Sequence, residues 1–138
     1  MIELTEDMFK TGQPFAQGEI LLWREEYAPK EILEAVAEGS NDFEPYKLEK
    51  DEFIIGHSET GHHHVLVPED NDFALSDVLN IEWLPANDNF MKVVAKAPIK
   101  LIHKRDNDTH DGYLIPAGNY IRRIREENTV DGWIRVAD

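Results

Sequence analysis

The chain has 138 residues, with 14 Lys and Arg against 28 Asp and Glu, a formal net charge of −14, and no cysteine. That length suits one domain, able to bury roughly two-thirds of its unfolded surface, and the missing cysteines exclude disulfides, iron–sulfur clusters and thiolate zinc sites. A surface this acidic repels phosphate backbones and argues against nucleic-acid binding; it serves solubility, or docks on a basic protein partner.

The first twelve residues, MIELTEDMFKTG, lack the basic and apolar regions of a signal peptide, and no window is long and apolar enough to span a membrane. A soluble, cytoplasmic protein with no membrane partner is the expectation. GEILLWREEY (18–27) reads as a first strand behind Gly18. APKEILEAVAEGS then predicts the one helix near 29–38, with Pro29 at its first position, Ile32, Leu33, Ala35 and Val36 on one face, and Gly39 just past its end. SNDFEPYKLEKD reads as a loop, and LNIEWL (79–84) as a strand.

Further on, FMKVVAKAPIKLIHK predicts two strands interrupted at Pro98. KRDNDTHDG is a turn-rich connection, and YLIPAGNYIRRIRE places Pro116 and Gly118 in a turn between two strands. DGWIRVAD opens on a hairpin-type Asp-Gly before a closing strand. Many short strands with turns between them predict a mainly β fold, a small antiparallel barrel or sandwich, closed or nearly closed, with one short helix. Its expected core includes Ile20, Leu22, Val65, Val67, Val93, Leu101, Ile115 and Trp133.

Four of the six histidines fall between positions 57 and 64. In a strand, His62 and His64 share a face while His63 points the other way, so the first two can converge on one ion. Thr60-Gly61 forms a turn that brings His57 and Glu59 towards the same end. His103 falls on the face of Ile99 and Leu101; its plain structural reading is a core histidine hydrogen-bonded to a carbonyl or carboxylate. His110 reads plainly as an exposed turn residue, or as a ligand folded over the mouth from which His62 and His64 project.

Gly56, five residues, then His62, His63 and His64, and four residues to Glu69 resemble the first motif of the cupins, which implies a cupin-like barrel with a metal. The second motif is represented by PAG at 116–118 alone, and Ile121 stands where its histidine would be. The elements Thr60-Gly61-His62-His63-His64, His110, Leu114 with Pro116, Gly118 and Tyr120, RRIREE (122–127) and RVAD (135–138) also resemble small uncharacterised proteins of phages and bacteria. That resemblance implies a phage or bacterial source and importance for the histidines, without a reaction.

Three functions follow from these residues. One is a metal site with His62, His64 and His110 as ligands, joined by His103 or His57, and with Glu59 or Glu69 as ligand or general base. Imidazoles suit zinc, iron, nickel or manganese, and three ligands leave a position for water or a small-molecule ligand. The second is an acidic interaction protein. The third is an anion binder built on Arg122, Arg123, Arg125 and Arg135.

Overall fold

In the computed structural model, residues 1–57, 63–104, 112–129 and 132–135 are described, the segments 126–129 and 132–135 by their backbone alone. β8 (Phe90–Ala95) alternates without a break: Met91, Val93 and Ala95 are buried, and Phe90, Lys92 and Val94 are half-exposed. A strand with one face on a core shows this period of two.

The first sheet has the order β1 (Ile2–Glu3), β10 (Tyr113–Ile115), β9 (Ile99–His103), β6 (His64–Pro68), β5 (Phe53–Gly56). The second runs β2 (Phe15–Gln17), β3 (Ile20–Arg24), β11 (Gly118–Ile124), β8, β7 (Leu79–Trp83), β4 (Glu44–Tyr46). A separate ribbon pairs β12 (Glu126–Thr129) with β13 (Gly132–Arg135). Neighbours are antiparallel except β1 with β10. Ile55, Leu66, Ile99 and Leu101 of the first sheet share one apolar cluster with Ile20, Leu22, Ile81 and Val93 of the second. The chain is thus a mainly β sandwich of two open sheets, and the closed barrel implied by the cupin resemblance is not formed.

Both proline breaks are crossings between the sheets. Pro98 separates β8 in one from β9 in the other, and Pro116 separates β10 from β11. A residue that cannot donate to a ladder suits a point where the chain leaves one ladder for another.

Among the described residues three short α-helices occur where the sequence indicated one: α1 (Glu6–Phe9), α2 (Lys30–Glu38) and α3 (Leu75–Val78). α2 is the expected helix, with Pro29 as its N-cap rather than its first residue. Ile32 and Val36, one turn apart, pack with Trp23 and Ile121 on the outer face of the second sheet. Leu33, assigned to the same face, is exposed, because the helix presents only a narrow stripe to a flat sheet. Among the described residues no helix is long and apolar enough to cross a membrane.

Of the expected core, Ile20, Leu22, Val93, Leu101 and Ile115 lie between the sheets. On β6 the inward residue is Leu66, with no exposure, so the neighbouring Val65 and Val67 take the outer face; Val65 is nevertheless buried and Val67 is half-buried. The Trp133 side chain lies outside the described residues.

Candidate metal centre

β6 and β9 pair so that His64 faces His103, Leu66 faces Leu101 and Pro68 faces Ile99. Leu66 and Leu101 belong to the inter-sheet core, so alternation turns both histidines inward at one end of the sandwich. His64 is completely buried. Its ring stacks on that of His103 with centres 4.4 Å apart and planes 15° from parallel. His64 Nδ1 lies 3.1 Å from Gln17 Oε1. With the amide oxygen as acceptor, Nδ1–H donates, and any metal bond from His64 then uses Nε2.

Gln17 arrives from the second sheet. The β2–β3 hairpin closes with Gln17 opposite Ile20, and its two-residue loop starts at Gly18, whose φ of 54° favours glycine. The next residue, Glu19, is 2 % exposed. Gly56 reveals how close these groups lie: a Cβ there would sit 3.5 Å from His64 Cδ2 and 3.6 Å from Glu19 Oε1. The buried carboxylate and the buried imidazole therefore flank the same bare stretch of backbone.

Within the triplet, His63 is set apart from the inward His64, and His62 lies outside the described residues. His63 lies off the inward face and is half-buried, its ring 5.0 Å from that of His57 at 81°. This separates His57 from the inner pair it was expected to join, because the exposed His57 follows β5 on the His63 side. Glu69 lies past the far end of β6 and is exposed, about 16 Å along the strand from His64 at ~3.3 Å per residue; it cannot serve this site. Ile121, the cupin ligand position, packs on Trp23 and Ile32 under α2, on the face of the second sheet turned away from the first. His62, His110 and Glu59 lie outside the described residues. Among the described residues no group of three or more metal-donor side chains closes around one point.

Among the described residues, Arg122 and Arg123 have separate surroundings. Arg122 is completely buried and donates to the Asp88 carboxylate at 2.7 Å and its carbonyl at 2.9 Å. Arg123, next along the strand, is exposed, with its guanidinium 5.7 Å from the Phe90 ring centre. Side chains of Arg135 lie outside the described residues. A cleft of about 570 Å³ is lined by Tyr46, Phe53, Trp83 and Met91, with His57 and Asp88 beside them.

Glu19 and Gln17 are the site residues that sequence reasoning missed. Glu19 is one of 28 acidic residues, and only the packing of the hairpin against β6 singles it out. No protein family matches the chain, and comparisons with curated proteins and with solved structures return no match.

Proposed function

We propose that the protein is a metal-binding β-sandwich whose ion is held at the end of the two sheets by His64 and His103, with the buried Glu19 carboxylate nearby. The observation that carries this reading is the inward, cross-strand pairing of a fully buried histidine with a second histidine, beside a buried carboxylate. The two rings stack with planes 15° from parallel, so sharing one ion requires one ring to turn until its nitrogen lone pair converges with the other's. Gln17 supplies the outer hydrogen bond that commonly orients a ligating histidine. On sequence grounds His62 and His110 are the proposed remaining donors.

This donor set suits zinc, iron, nickel or manganese, and a site with one position open would present the ion to water or a small ligand. The test is elemental analysis of protein purified without an affinity tag, followed by thermal unfolding with and without a chelator. Near-stoichiometric metal whose removal lowers the Tm supports the reading. A metal-free protein that takes up none of the four ions, and unfolds identically with chelator, defeats it.

The net charge of −14 favours one additional role, docking on a basic protein. Such a complex would weaken steadily as salt rises.

A further inference from the structure

We propose that His57 and His63 form a second, outward-facing site for a divalent transition ion, copper(II), nickel(II) or zinc, independent of the inner pair. The His63 backbone is tied into the sheet, its carbonyl accepting from Lys104 N–H at 2.9 Å, so its ring projects from a fixed position. Its Nδ1 is shielded from water and has no hydrogen-bond partner among the described residues. A ring nitrogen in that state is destabilising, and an ion bridging it to His57 removes the penalty. The ring centres, 5.0 Å apart with planes at 81°, stand close to the about 5 Å that two imidazoles keep on one tetrahedral ion. His57 is exposed and lines the cleft, so the remaining coordination positions face water. The nearby Lys104 ammonium is engaged by Glu52 at 2.6 Å, and the acidic chain draws cations to its surface.

The test is calorimetric titration of metal-stripped, untagged protein with copper(II) and nickel(II), repeated on His57→Ala, His63→Ala and His64→Ala. The wild type should show a class of binding that weakens about tenfold or more in the first two variants, as each loses one of two imidazoles, and persists in His64→Ala. His57 is exposed, so His57→Ala should keep the native circular dichroism, and binding can be compared on a folded protein. A class that survives both His57→Ala and His63→Ala, or that disappears only with His64→Ala, overturns the proposal and leaves the two rings as an ordinary edge-to-face contact. Failure of the inner site alone would remove the His64-dependent class and spare this one.

Discussion

Gln17 illustrates how a side chain without chemistry of its own sets what a neighbour can do. It fixes one nitrogen of the buried His64, and losing such an orienting partner typically lowers metal affinity about 10–100-fold. Gln17→Ala should show that loss in competition with a chromophoric chelator while the circular dichroism stays native; unchanged affinity would mean that Gln17 only packs. Tyr120 gives a second test at this scale. It is buried, stacks edge-on to Phe9, and donates its hydroxyl to the Pro116 carbonyl at 2.6 Å. Burial, opposed by the Arg24 guanidinium, pushes its pKa up from 10.0 to about 12. Folding therefore favours the protonated phenol: its stabilising contribution is complete below pH 10 and is lost as pH rises through about 12. Alkaline unfolding followed by tryptophan fluorescence should show this loss, and Tyr120→Phe should flatten it while costing about 1 kcal/mol at neutral pH through the vacated carbonyl. The inward placement of His103 was legible from its alternation with Ile99 and Leu101. That of His64 was not, since Val65 and Val67 were the expected core and Leu66 takes the inward face instead, and Gln17 and Glu19 escaped notice because their approach to His64 depends on how one sheet's hairpin packs on the other sheet.

β6 sorts chemistry from core by its period of two, and a slip of one residue would exchange its faces. Leu66→Ala should cost about 2–5 kcal/mol in denaturant unfolding, and Val67→Ala, at a half-buried outer position, about 1 kcal/mol. Equal costs would contradict the assignment of faces. At Gly56 an added Cβ would overlap Ile20 Cγ2, so Gly56→Ala should destabilise by about 1–3 kcal/mol through overpacking. Strands with one buried face announced themselves in the sequence, as β7, β8 and β9 did. β4 did not, since Glu44, Pro45 and Tyr46 are all exposed on an edge strand and leave no apolar pattern. α1 and α3 have four residues each, too short for helical periodicity to appear.

The short strand runs foretold a mainly β chain, and the proline positions marked where strands end, but nothing local distinguishes a turn within a sheet from a crossing between two. The open sandwich was therefore less legible than its strands. The charge acts on the molecule as a whole: at −14, self-repulsion opposes the compact state, and salt screens it. Thermal unfolding should shift upward as sodium chloride rises from about 10 mM to about 150 mM, where the screening length is about 8 Å; a downward shift would indicate that surface ion pairs outweigh the repulsion. The inner site is tested most directly by counting tightly held metal per chain in untagged protein after dialysis, for the wild type, His64→Ala, His103→Ala and His63→Ala. Loss of one tightly held ion per chain in His64→Ala and in His103→Ala, with that ion kept in His63→Ala, is the predicted result. A metal count in His64→Ala and His103→Ala equal to that of the wild type would contradict it.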